Sequence, residues 1–99
     1  MSYHLTTKYG GTEAVIDDNC GISKFYLIAD TLTSQLHVTF LNQVGDQETL
    51  DWDFQYKNNS LTLHYNIFNG VSILPHTKGV GKEDDAVLEV AKFLKSLAY

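Results

Sequence analysis

Between Leu50 and Ile67 the chain alternates apolar and polar residues, with one break in the middle. Leu50, Trp52, Phe54 and Tyr56 alternate with Asp51, Asp53 and Gln55, and Leu61, Leu63, Tyr65 and Ile67 alternate with Thr62, His64 and Asn66. A period of two places each set on one face of a strand. The run Lys57-Asn58-Asn59-Ser60 between them predicts a β-hairpin with Asn58-Asn59 as a two-residue loop. In that register Tyr56 faces Leu61, Phe54 faces Leu63, Trp52 faces Tyr65 and Leu50 faces Ile67. The result is a wall of large apolar side chains that a second layer has to cover.

Two segments supply that layer. Over Ile22–Leu32 a helix gathers Ile22, Phe25, Tyr26, Ile28, Ala29 and Leu32 on one stripe, with Leu27 as the misfit, whereas a strand accounts for only Phe25, Leu27 and Ala29. Glu83–Tyr99 reads as a second helix, its stripe formed by Val87, Val90, Ala91, Leu94, Leu97 and Ala98. Glu83, Asp84 and Asp85 stand at the positive end of its macrodipole, and Lys92 and Lys95 toward the negative end. The remaining strands are shorter: Tyr3–Lys8 and Thr12–Ile16 around Tyr9-Gly10-Gly11, an alternation at Leu36, Val38 and Phe40, and Val71–Leu74 after the turn signal Asn69-Gly70. Residues 42–47 read as a loop. The expected fold is α+β, a two-layer sandwich in which an antiparallel meander of about four to six strands carries two helices, residues 22–33 and 83–98, on one face.

Ninety-nine residues make one domain, and the single cysteine, Cys20, excludes an intrachain disulfide framework and fits a reducing compartment. The first residues lack the basic and apolar regions of a signal peptide, and no apolar run approaches a membrane span. A soluble cytoplasmic protein is the expectation. Seven Lys, no Arg and twelve acidic residues leave a net charge of −5. Nucleic-acid binding rests on clustered Lys and Arg, so this balance argues against it and permits attraction to a basic protein.

The sheet face turned away from the helices holds the candidate chemistry. The same register places Asp53 opposite His64 and Asp51 opposite Asn66. Extending it to the strand of Leu36, Val38 and Phe40 sets His37 opposite Asp53. His37, Asp53 and His64 would form a row suited to a metal ion or to an oriented general base. A flat open face offers neither a pocket nor exclusion of water, so a solvated polar face is the plainer expectation. A two-residue Asn-Gly turn also sets Phe68 opposite Val71, with Ile73 beside them, as an apolar patch outside the helices and Leu41 at the other edge.

Other signals do not assign a reaction. Gly79-Val80-Gly81-Lys82 lacks the outer Gly and the Ser or Thr of a phosphate loop, and Glu83, Asp84 and Asp85 stand where a phosphate would bind. Cys20 sits beside Asp17 and Asp18, a negative field that disfavours the thiolate. No paired zinc spacing and no Gly-x-Ser-x-Gly elbow occurs. The reading is therefore a non-enzymatic module without cofactor that binds another protein, a basic one such as immunity-type inhibitors mask. Its surface would be Asp51, Asp53, Phe68, Val71 and Ile73, with self-association through the same patch as a further expectation. The alternative is a metal-binding protein or small hydrolase using His37, Asp53 and His64.

Overall fold

The computed structural model describes residues 3–6, 12–18, 20–46, 48–75 and 84–97; for residues 3–6, 12 and 84 it describes the backbone alone. In chain order the elements are β1 (Tyr3–Thr6), β2 (Thr12–Asp17), α1 (Ile22–Leu36), β3 (Phe40–Gly45), β4 (Thr49–Tyr56), β5 (Asn59–Asn66), β6 (Gly70–Pro75) and α2 (Asp84–Ser96). The strands form one six-stranded sheet in the order β1-β2-β6-β5-β4-β3, every neighbouring pair antiparallel. Both helices lie on one side of it, so the α+β two-layer architecture expected from the alternation is present. The last four strands run as a meander. The β1–β2 hairpin docks on β6, which returns the end of the meander to the start of the chain, and α1 spans from β2 to the opposite edge.

The central hairpin shows how the turn sets the sheet. Lys57 and Asn58, at φ 49° and 66°, occupy the loop, so Tyr56 pairs with Asn59, Phe54 with Leu61, Trp52 with Leu63 and Leu50 with Tyr65. Two successive residues at positive φ are what a tight turn matched to strand twist requires. Asn59 is drawn out of the loop, where its side-chain amide donates to the carbonyls of Tyr56 and Lys57 at 3.3 and 3.0 Å. The register therefore differs by two residues from the sequence expectation. An even offset leaves every side chain on its expected face. Leu50, Phe54, Leu61, Leu63 and Tyr65 are buried under the helices, and Trp52 is partly buried on the same side.

α1 buries Phe25, Ile28, Ala29 and Leu32, the i, i+3, i+4, i+7 stripe of an amphipathic helix. It runs to Leu36 rather than to residue 33. Leu36 continues the stripe seven residues after Ala29 and packs partly buried against the core. The strand expected over Leu36, Val38 and Phe40 is accordingly displaced to Phe40–Gly45, so that residues 42–45, expected as loop, are strand. His37 closes the helix in a left-handed conformation, φ 57°, its backbone N–H donating to the Leu32 carbonyl. Tyr26, expected in the stripe, stands at its border and is about half exposed, with its ring 5.8 Å from Trp52.

α2 covers the other half of the sheet, over β2 and β6, and buries Ala86, Val87, Val90, Ala91 and Leu94. It is tied to the central turn through Glu89, which accepts from the Tyr56 hydroxyl and from Lys57 Nζ, the latter at 2.7 Å. These bonds hold the Glu89 carboxyl below the usual range, Lys57 first and Tyr56 second, while the Glu89 carboxylate raises both Tyr56 and Lys57. A depressed carboxyl stabilises above its unfolded pKa and loses that contribution as pH falls through the folded value. Raised Tyr and Lys groups lose theirs as pH rises through the folded values. Glu89→Gln should therefore lower Tm slightly across a plateau from about pH 5 to 9, the deficit fading below about pH 4 and above about pH 10. Thermal melts of both proteins across that range check it, and a deficit independent of pH would contradict the ionic account. No helix among the described residues is long and apolar enough to cross a membrane.

Candidate functional site

Parity along β4 and β5 sends Asp51, Asp53, Thr62 and His64 to the face opposite the helices. Two rows cross that face. One runs Val44, Asp51, His64, Ser72, Val15, and the other Asn42, Asp53, Thr62, Leu74. His64 Nδ1 lies 2.6 Å from Asp51 Oδ1, and Asp53 accepts from the Thr62 hydroxyl at 2.7 Å and from the Asn42 amide at 3.3 Å. Ser72 donates to Glu13 at 2.7 Å. Each contact is the direct or diagonal cross-strand pairing that antiparallel geometry provides. The face is acidic, with Glu13, Asp51 and Asp53, and its rows contain no lysine among the described residues.

The row of His37, Asp53 and His64 does not form. His37 is the residue that ends α1 and belongs to no strand, while the two-residue register difference puts His64 opposite Asp51 and Asp53 opposite Thr62. Among the described residues no group of three or more His, Cys, Asp or Glu side chains is placed to hold a metal ion. The His64–Asp51 pair lies on the outer face with the Asp51 side chain half exposed, where such a pair contributes little beyond fixing the ring.

The expected apolar patch is also rearranged. The β5–β6 connection is not a two-residue Asn-Gly turn: Asn66 pairs with Gly70, and Ile67, Phe68 and Asn69 lie between them. The odd offset reverses the faces of β6. Val71 then pairs with Tyr65 and Ile73 with Leu63, and both are buried in the core under the helices. They are not part of any surface. Ile67, expected opposite Leu50 in the core, is instead exposed in the turn, and Phe68 is 82% exposed at its tip.

What the turn end does assemble is a fixed apolar tip among acidic loops. Phe68 N–H donates to the Asn66 side-chain carbonyl at 2.8 Å, Asn69 N–H to the Asn66 backbone carbonyl at 3.1 Å, and Ile67 N–H to the Glu48 carbonyl at 3.0 Å. Three consecutive amides are thus bonded, which holds the two side chains out without burying them. Asp46 ties the neighbouring β3–β4 connection. Asp46 Oδ1 accepts from the N–H groups of Glu48 and Thr49 at 2.8 and 3.1 Å, and these bonds hold its carboxyl below the usual range. On the other side Gly70 lies against the backbone of Asp17 and Asp18. Asp17 is paired with Lys24 at 3.1 Å. Cys20 donates to the Asp17 carbonyl at 3.6 Å, and its thiol is pushed up first by burial and then by the Asp17 carboxylate, which opposes nucleophilic use.

Comparison of the chain with models of protein families, with characterised proteins and with solved structures found no match. Asp51 and Asp53 lie on the outer face and Phe68 at its end, whereas Val71 and Ile73 are core residues. Ile67, Asp46, Glu48, Asp17 and Asp18 were not expected at a shared site. The local signal for part of it was the apolar pair Ile67-Phe68 set between Asn66 and Asn69, since asparagines favour turns and the pair must then project from one. The phosphate-loop reading of residues 79–82 and the remaining histidines, His4 and His76, fall outside the described side chains.

Proposed function

We propose that this chain is a non-enzymatic binding module that recognises a basic protein through the turn end of its sheet. Phe68 is the apolar anchor, with Ile67 beside it. Asp46 and Glu48, Asp17 and Asp18, and the outer-face pair Asp51 and Asp53 form the acidic surround. The observation that carries the reading is Phe68 itself: a ring 82% exposed on a turn whose amides at 67, 68 and 69 are all bonded. An aromatic side chain presented by a stiff turn loses little further freedom on binding, which is the property of an interface anchor. A net charge of −5 supports the choice of partner, because an acidic surround speeds encounter with a basic surface and discourages acidic ones. The fitting partner presents an apolar pocket rimmed by Lys or Arg, as a nuclease or toxin domain masked by an inhibitor would. With one cysteine and no disulfide framework, the cytoplasm is the inferred place of the encounter.

The test uses matched baits in an extract of the native host: wild type, Phe68→Asp, and Asp51→Lys with Asp53→Lys. The expected result is a basic protein retained by wild type, released by salt, and lost with Phe68→Asp. With the partner purified, Phe68→Ala should weaken affinity by roughly 30-fold or more, the effect of removing an interface anchor. Equal retention by wild type and Phe68→Asp would overturn the reading.

A further inference from the structure

At the edge farthest from β1, the strand β3 has a neighbouring strand on one side only among the described residues and presents Phe40-Leu41-Asn42-Gln43-Val44-Gly45. Soluble proteins usually close such an edge with lysine, an inward charge, proline or a twist. This strand carries no charged residue and no proline, and its one irregularity is a bulge between Phe40 and Asn42. Leu41 and Val44 are 58% and 63% exposed along it. We propose that β3 pairs antiparallel with β3 of a second copy of this chain, about a two-fold axis through Gln43, joining the two sheets edge to edge.

Parity admits a second copy as the occupant, and the uncharged edge favours it over a basic peptide. Asn42 and Val44 both face away from the helices, since they pair with Asp53 and Asp51 of β4. An axis through Gln43 therefore sets Asn42 opposite the partner's Val44 with matching faces, and keeps the helices of both copies on the same side. Two chains of charge −5 repel, so the arrangement has to separate their acidic ends. Asp46 and Glu48 follow the Gly45 end of β3, and antiparallel pairing sends the two Gly45 ends in opposite directions. About the axis at Gln43 the two Asp46 positions lie six residues apart along the strands, roughly 20 Å, more than twice the Debye length of about 8 Å at physiological salt. A basic extended peptide would instead find no carboxylate anywhere along β3. One strand pair per dimer lies at the low end of specific interface size, so the association is weak and depends on concentration.

Sedimentation velocity from low-micromolar to near-millimolar protein, at physiological salt, tests the proposal. Wild type should pass from monomer to dimer. Val44→Lys, which sets two ammonium groups diagonally across the axis at an exposed position, should keep Tm and raise the dimer dissociation constant by about tenfold or more. Should that variant fold poorly, Leu41→Lys takes its place. Phe68→Asp should leave the dimer unchanged, which separates this edge from the turn-end surface. A wild type monomeric at every concentration, a dimer unaffected by both lysine variants, or a dimer abolished by Phe68→Asp would overturn it.

Discussion

Phe25→Ala should destabilise this protein by roughly 3–5 kcal/mol, more than any other single truncation of an aromatic ring on α1 or of the partly buried Trp52. Phe25 is fully buried, and its ring packs edge-on against Trp52 at 5.0 Å and Tyr65 at 6.2 Å, and against Tyr26 at 5.7 Å. Truncation loses the transfer free energy of the ring and leaves a cavity walled by two β-sheet aromatics that cannot collapse into it. The edge-to-face contacts add about 0.5–1.5 kcal/mol each, partly counted already in the buried area. Domains of this size hold about 5–15 kcal/mol in all, so the variant would sit close to unfolding. Tyr26→Ala, at a half-exposed ring, should cost about 1 kcal/mol or less. Urea titration followed by the emission of Trp52 reads both. The native baseline of Phe25→Ala should also shift to the red, because water gains access to the indole. A Phe25→Ala midpoint equal to that of Tyr26→Ala would show that α1 does not anchor the sheet through this ring.

The two hairpins separate what is legible in the sequence from what is not. Alternation fixes which residues of β4 and β5 share a face, and a shift of the turn from Asn58-Asn59 to Lys57-Asn58 moves the register by an even number without disturbing that division. The core is therefore legible even though each expected pairing partner is wrong by two. At β5–β6 the turn is longer than the Asn-Gly signal implies, the offset is odd, and Val71 and Ile73 pass from surface to core. The Gly70 end of that turn lies against Asp17 and Asp18, a contact distant in sequence that no local pattern carries. The displacement of β3 has a different origin. Leu36 satisfies a helical stripe and a strand alternation equally well, and packing under the sheet decides for the helix. The turn-end surface is the least legible, since the Gly70–Asp17 approach and the Ile67–Glu48 bond arise only because β2 ends, β4 begins and β5 ends at the same end of the sheet.

That distant contact supplies the second large effect. Gly70→Ala should cost on the order of 3–4 kcal/mol, lowering Tm by roughly 15–25 °C. Gly70 sits at φ 75°, where a side chain already costs about 1 kcal/mol. A Cβ there would lie 1.8 Å from the Asp17 carbonyl oxygen and 2.8 and 2.9 Å from the Asp17 carbonyl carbon and Asp18 Cα. All three are backbone atoms at the irregular end of β2, so relief requires moving β2 away from β6, at the join between the N-terminal hairpin and the meander. Gly21→Ala is the matched control: Gly21 is the N-cap of α1 at φ −94°, a methyl group there would meet nothing within 4 Å, and the replacement should cost about 1 kcal/mol or less, the poorer capping of Ala. Gly70 also determines how the chain leaves the turn, so Gly70→Ala should displace Phe68 and weaken partner capture even under conditions where the variant is folded. Thermal melts of the three proteins, with amide exchange at β2 and β6, check the claim. Protection unchanged at the β2–β6 pairing, with a Tm within a few degrees of wild type, would mean that the close approach of Gly70 to Asp17 does not hold the two parts of the sheet together.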